Sequence, residues 1–250
     1  MTVHFVGAGP GAADLLTVRA TRLLAAADLV LYPGTYLHPE VLSHCSPAAV
    51  LVDTHGLDLD QITERLVRGQ RAGRQVVRLT SGDPSLYSAL FEQTRRLDEV
   101  GVAWDVTPGV AAYAAAAAVL GRELTVPLVT QSVVLTRTHD RSTAIPQSES
   151  LAAFAATRAT MVLHLAVRRT RELMAELAAA YGADCPAVVV YRASQPDEVV
   201  LTATVSTIAD EVERAGLTQA AVIMVGRALH PAGGGESHLY SQTRDRGQCR

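Results

Sequence analysis

Few of the signatures of metal, disulfide, membrane or nucleic-acid proteins occur in this chain of 250 residues. Cysteine is scarce. Cys45, Cys185 and Cys249 are far apart and odd in number, so neither a zinc spacing nor a disulfide framework is expected, and a reducing cytoplasm fits. The eight histidines are scattered and join no cysteine or acid at metal-ligand spacing, so no metal is expected. Positive charge is not in surplus: a formal net charge of −3 argues against a generic nucleic-acid binder, though not against an anionic small molecule held by local arginines. Long apolar runs are missing too, since residues 111–120 reach only about half of the roughly 20 residues needed to cross a bilayer. The amino terminus enters a strand with no basic and apolar leader before it. These absences predict a soluble, cytoplasmic protein. No glycine loop carries a P-loop lysine and no G-x-S-x-G elbow is present, so NTP hydrolysis and a hydrolase triad lack support.

What is present is a chain 48% hydrophobic and only 4% aromatic, which suits an alanine- and valine-rich α/β core. The stretch QVVRLTSGDPSLY, residues 75–87, organises the rest. Val76, Val77 and Leu79 read as a buried strand that stops at Ser81-Gly82-Asp83-Pro84. Gly82 permits a backbone angle that a side chain would resist, and Asp83 before Pro84 predicts a helix start. Small residues and an acid at the carboxyl end of a strand are where open α/β sheets hold ligands.

A second loop of this kind follows the strand at residues 3–6. Gly7, Gly9 and Ala12 loosely match the dinucleotide fingerprint, but Pro10 removes an N–H from the loop. The acid expected after the second strand is also missing, because residues 29–31 lead into Tyr32-Pro33-Gly34. An NAD-dependent dehydrogenase is therefore a weak alternative. Further strands are expected at residues 50–52 and 104–106, and helices at 17–26, 59–72 and from Pro84 towards Glu99. After Thr107-Pro108-Gly109 comes VAAYAAAAAVL, a strong helix former whose first turn, with Ala111 and Ala112, should sit beside the Ser-Gly-Asp turn. Three loops thus point to one rim of one sheet.

Pro127 suggests a linker, so the expected division is residues 1–124 and 125–232, each an α/β domain, then a surface tail at 233–250. In the second half, strands are read at 132–136, 161–165, 187–191, 199–204 and 220–226, with Gln195-Pro196-Asp197-Glu198 as a hairpin turn. Helices are expected at 149–157, 168–181 and 206–215. Two α/β domains with a cleft between them follow from this pattern.

Five segments, VGAGPGAADLLTVRA, TSGDPSLYSA, TPGVAAYAAAAA, LTVPLVTQSVVLTR and RASQPDE, together resemble the tetrapyrrole methylase superfamily. Within it, YPGTYLHPEVL, QSVVLTRTHDRSTAIPQSESLAAFAA and ESHLYS are similar to the precorrin-4 C(11)-methyltransferases of cobalamin synthesis. The resemblance covers nearly the whole chain in order. It implies S-adenosylmethionine as cofactor, an anionic tetrapyrrole as substrate, and a homodimer. It also implies methyl transfer to carbon 11 of precorrin-4, with the cobalt-containing substrate as a near variant. A methylase of the same superfamily acting on rRNA or a translation factor is less well matched.

Carried over by motif, the cofactor contacts would be Pro10, Ser81, Gly82, Asp83, Leu86, Ala111, Ala112, Leu165, Ala166, Ala193 and Ala221. Arg137, Arg141 and Arg192 would meet substrate carboxylates. The turn reads Ser-Gly-Asp where the family has Gly-Gly-Asp, and Tyr32 is followed by Pro33 where related enzymes have an acid, so no general base is assigned.

Overall fold

The structure is a computed structural model and describes residues 1–138, 144–232 and 234–240. Two compact units emerge, one formed by Met1–Ala116 with Arg192–Glu198, the other by Ala117–Tyr191 with Val199–Arg250.

The first unit is built on a parallel sheet in the order β3-β2-β4-β1-β5, with β1 at Val3–Gly7, β2 at Leu29–Tyr32, β3 at Val50–Asp53, β4 at Val76–Thr80 and β5 at Trp104–Thr107. In register, Val6 of β1 faces Leu79 of β4 and Thr107 of β5. Helix α1 (Val18–Ala26) packs Ala20 and Leu24 with Val6, Val30, Val77 and Leu79 on one face. Helices α2 (Leu59–Arg71) and α3 (Leu90–Glu99) pack Ile62, Leu66 and Leu97 with Phe5, Leu31 and Val76 on the other. The apolar runs of β1, β2 and β4 are explained by that double coverage, because a parallel strand buried on both faces cannot alternate. Thr17 caps α1, and Asp58 with Gln61 forms a full capping box on α2. The loop after β1 leads to α1 and the chain after β4 leads to α3, on opposite faces. Adjacent strands whose connections diverge in this way open a crevice at their carboxyl ends.

One local expectation is overturned. Helix α3 begins at Leu90, not at Pro84, and its N-cap is Ala89 in the left-handed region, with no capping side chain. The Asp83 carboxylate, expected to cap a helix, is drawn instead to Ser85 and Gly109. Residues 84–89 form a turn between strand and helix. Helix α4 (Ala112–Leu120) follows the third turn as expected.

The second unit carries a mixed sheet in the order β6-β7-β10-β8-β9, from Val133–Arg137, Thr160–His164, Ala221–Val225, Pro186–Tyr191 and Val199–Thr204. Only β6 and β7 run parallel; the rest pair antiparallel. Its core joins Met161, Leu163, Val189 and Ile223 with Leu173 and Leu177 of α6 (Thr170–Tyr181) and Ile208 of α7 (Ile208–Arg214). The helix expected at 149–157 is shorter, spanning Leu151–Ala155 as α5. Across α6 and α7, exposed Arg171 holds Asp210 at 2.5 Å and Glu213 at 2.7 Å. Such exposed, solvent-screened pairs contribute little, so Arg171→Ala is expected to leave the urea denaturation midpoint nearly unchanged. A clear fall in the midpoint would contradict this. Among the described residues no helix is long and apolar enough to cross a membrane.

Candidate active site

The carboxyl ends of β4, β1 and β5 are bound to one another by backbone. Ala8 N–H donates to Thr80 O at 2.8 Å, and Gly9 and Gly82 exchange N–H···O bonds of 3.2 and 2.7 Å. Gly82 has φ +66, so its left-handed turn is one glycine adopts freely. A β-carbon on Gly7 would lie 2.5 Å from the Gly109 nitrogen, and one on Gly109 would lie 2.2 Å from the Gly82 carbonyl oxygen. The three turns therefore meet main chain to main chain. Only glycine fits at Gly7 and Gly109, for reasons of space.

Asp83 fastens the second turn to the third. Its Oδ2 accepts from Gly109 N–H at 2.8 Å, while Oδ1 accepts from Ser85 N–H at 2.8 Å and from the Ser85 hydroxyl. Burial opposes its ionisation, but the Ser85 hydroxyl and the Gly109 and Ser85 amides outweigh it and hold the carboxyl below its ordinary range. The acid stays charged at neutral pH, with its oxygens committed to the protein. Next to Gly82 lie the first residues of the third turn, since a β-carbon there would be 3.6 Å from Ala112 N and 3.9 Å from Ala111 Cα.

The first turn is held from far along the chain. Ala12 N–H donates to Ser194 Oγ at 3.1 Å, and Gln195 Nε2 donates to Pro10 O at 3.2 Å. Gly11 lies so close to Gln195 that a β-carbon would be 2.2 Å from its Cγ. Gln195 Oε1 also accepts from Arg192 Nε at 2.9 Å, and Arg192 pairs with Asp197 at 3.0 Å. Arg192 and Ser194 have φ values of 45 and 67, so this segment is held in a conformation that side chains disfavour. The roles of Ser194 and Gln195 were missed in the sequence, where RASQPDE reads as an ordinary turn and partners some 180 residues away cannot be seen.

Of the residues expected at the cofactor, Pro10, Ser81, Gly82, Asp83, Ala111 and Ala112 are thus brought together in the first unit. Leu86 is half-buried in the turn after Asp83, and Ala193 is buried between Arg192 and Ser194. Leu165, Ala166 and Ala221 belong to the second unit. The pairing of Ile223 with Leu163 brings the start of β10 to the end of β7, so these three share one sheet edge. Leu165 is 64% exposed with φ 55, a strained and solvent-facing apolar residue. Arg137, the last residue of β6, lies opposite His164 at that same edge. Arg141, with His139 and Asp140, lies outside the described residues.

The chemistry of this donor set suits a nucleoside carrying a sulfonium better than a pyrophosphate. No arginine or histidine occurs in residues 7–12, 81–86 or 108–112, so no side chain in the turns would pair with a phosphate, and Pro10 takes one N–H from the first turn. Their one formal charge, Asp83, has the sign that favours a cation. Backbone and small side chains let a flat ligand approach closely.

The sequence profile of the Tetrapyrrole (Corrin/Porphyrin) Methylases matches residues 2–209. The chain belongs to that family. A precorrin-4 C(11)-methyltransferase from Rhodococcus erythropolis is 53% identical over 246 residues, 98% of this chain and 99% of the relative. Among solved structures, a cobalt precorrin-4 methyltransferase superposes with TM-score 0.89 at 37% identity, covering 92% of this chain and 96% of that one. A uroporphyrin-III C-methyltransferase from Thermus thermophilus, solved with S-adenosylhomocysteine, gives 0.77 at 29% identity and covers 92% and 94%. The tetrapyrrole methylase fold implied by the resemblance is therefore the fold this chain adopts, a mixed α/β structure with two sheets.

Proposed function

We propose that this tetrapyrrole methylase transfers the methyl group of S-adenosylmethionine to carbon 11 of precorrin-4, giving precorrin-5. What supports the reading is the full-length similarity to precorrin-4 C(11)-methyltransferases in a chain whose cofactor-turn residues meet at one sheet rim. S-adenosylmethionine supplies an already activated sulfonium methyl. The protein's own part is then orientation and exclusion of water, rather than proton transfer by a dedicated side chain. In this reading residues 81–83 and 111–112 hold the nucleoside, and Asp83 keeps the two turns at fixed separation. Pro10 presents its ring and carbonyl, the latter held by Gln195.

The substrate's carboxylates call for cations. The sequence contains no lysine, so its 22 fixed cations are all arginines, the side chain best shaped for bidentate carboxylate contacts. Arg137 and Arg192 are the proposed contacts described by the structure, and Arg141 is a third. Arg137→Ala is expected to raise the tetrapyrrole KM about tenfold or more while leaving S-adenosylhomocysteine affinity near native. Equal loss of both would refute the assignment. We also propose a homodimer in the cytoplasm, which sedimentation equilibrium checks for the oligomer; a monomer at micromolar concentration would contradict it.

The direct test is incubation with S-adenosylmethionine labelled in its methyl group and, in parallel, metal-free or cobalt-containing precorrin-4. Label at carbon 11 of the metal-free macrocycle is the expected result. Label only on the cobalt form would reassign the substrate, and label at another carbon would overturn the reading.

A further inference from the structure

The contacts of the three turns leave one buried charge unused. Arg78 lies in the middle of β4 and is 7% exposed. Burial alone pulls its guanidinium down to about 10, and no carboxylate among the described residues offsets it. Its acceptors are neutral: Nε donates to Gln93 Oε1 at 3.1 Å, and Nη1 donates to the Leu79 carbonyl at 2.9 Å and Thr54 Oγ1 at 3.4 Å. The Thr54 hydroxyl in turn donates to the Tyr32 carbonyl at 3.1 Å. One cation thus ties together the carboxyl ends of β2, β3 and β4.

Gln93, on α3 and 1% exposed, passes this link onward. Its Nε2 donates to the Ala89 and Ser88 carbonyls at 3.0 and 3.3 Å. With its oxygen on the guanidinium and its nitrogen on two carbonyls, the amide has one workable orientation. The carbonyls it holds belong to the turn in which Tyr87 and Ala89 adopt φ 53 and 55, a region side chains disfavour. Ser88 Oγ donates to Pro84 O, and Ser85 bonds to Asp83, so the chain of contacts runs without a break from Arg78 to residues 81–83.

We infer that Arg78 and Gln93 are positioning residues for the cofactor turn, with Gln93 acting as a neutral amide that clamps residues 88–89 and thereby sets residues 81–83. The inference rests on assigning that turn to the cofactor. A neutral amide is needed because the clamp must accept on one side and donate on the other. A carboxylate at position 93 would partner Arg78 better and the carbonyls worse.

Gln93→Glu separates these roles. If Gln93 merely accommodates a buried cation, glutamate should serve as well and binding should stay native, an outcome that overturns the inference. The expected result is a folded protein whose S-adenosylhomocysteine dissociation constant rises about tenfold, as fits the loss of two hydrogen bonds. Faster amide exchange should be confined to residues 85–90. Adding Ala89→Gly should recover much of the affinity, because glycine takes the left-handed conformation without restraint. Should Gln93→Glu fail to fold, Gln93→Met, which adds no charge, is read by the same three measurements. Failure of both to fold would make Gln93 a core residue and overturn its positioning role. Gly82→Val, measured in parallel, keeps the two assignments apart. Native affinity there removes the turn from the cofactor site, whereas loss there with native affinity in Gln93→Glu removes only the clamp.

Discussion

Gly109→Ala should reduce S-adenosylhomocysteine affinity roughly a hundredfold, a loss of about 2.7 kcal/mol of binding. The added β-carbon would lie 2.2 Å from the Gly82 carbonyl oxygen and 2.8 Å from Gly7 Cα. All of these are backbone atoms, so no side chain can swing aside and the turns themselves must part. Overpacking of this kind costs about 1–3 kcal/mol of fold stability as well. Gly101→Ala provides the contrast. Gly101 also has positive φ, +69, but nothing lies within 4 Å of the added carbon. It should lose about 1 kcal/mol of stability and no affinity. Isothermal titration and thermal melts of the two variants make the comparison, and similar affinities would show that convergence of the turns is not what holds the ligand.

The second large effect is expected at Asp83. Asp83→Ala leaves the Gly109 and Ser85 amides without their acceptor, and charge-assisted bonds of this type contribute about 1.5–3 kcal/mol each. Because the exposed Ser85 amide can turn to water instead, the loss expected is less than the sum of the two, about 2–4 kcal/mol, with cofactor affinity falling alongside. Asp83→Asn should recover only part, because its amide nitrogen would face one N–H donor. The pH dependence follows from the depressed folded pKa. The carboxylate's contribution is complete above its unfolded value of about 4 and is lost as pH falls through the folded value. The stability gap between native protein and Asp83→Asn should therefore be constant from about pH 8 to 5 and narrow as pH falls below the unfolded value towards the lower folded one. A gap that widens on acidification would show that Asp83 does not act as an ionised acceptor.

The central strands of both units were legible because their burial is simple. VHFV, LVLY and VVRLT in the first unit are runs that only a covered strand tolerates, and the glycine turns after the first and third of them announced a common rim. The delayed start of α3 was not legible. Asp83-Pro84 is a sound local helix signal, and it lost to a donor 26 residues away, the Gly109 amide, which competes for the same carboxylate. Ser194 and Gln195 were hidden for the same reason, as their partners at Ala12 and Pro10 are fixed only by the tertiary fold. Arg78 left a trace that could have been followed. A lone arginine inside VVRLT must either face solvent or be met by buried acceptors, and the apolar residues on both sides already argued for burial.

Among the candidate site residues, glycine, alanine and Asp83 were recoverable because their role is backbone geometry, which sequence records well. Arg137 and Arg192 were harder. In sequence an arginine reads alike whether it meets a carboxylate or water; both are half-buried here, and Arg192 is tied to Gln195 and Asp197 within its own turn.

A crystal structure with S-adenosylhomocysteine bound tests the central claim most directly. The nucleoside should lie against Pro10, Gly82 and Ala111, with Asp83 still bonded to Gly109 beneath it. A nucleoside seated away from these three residues would contradict the account, whatever methyl transfer the protein performs.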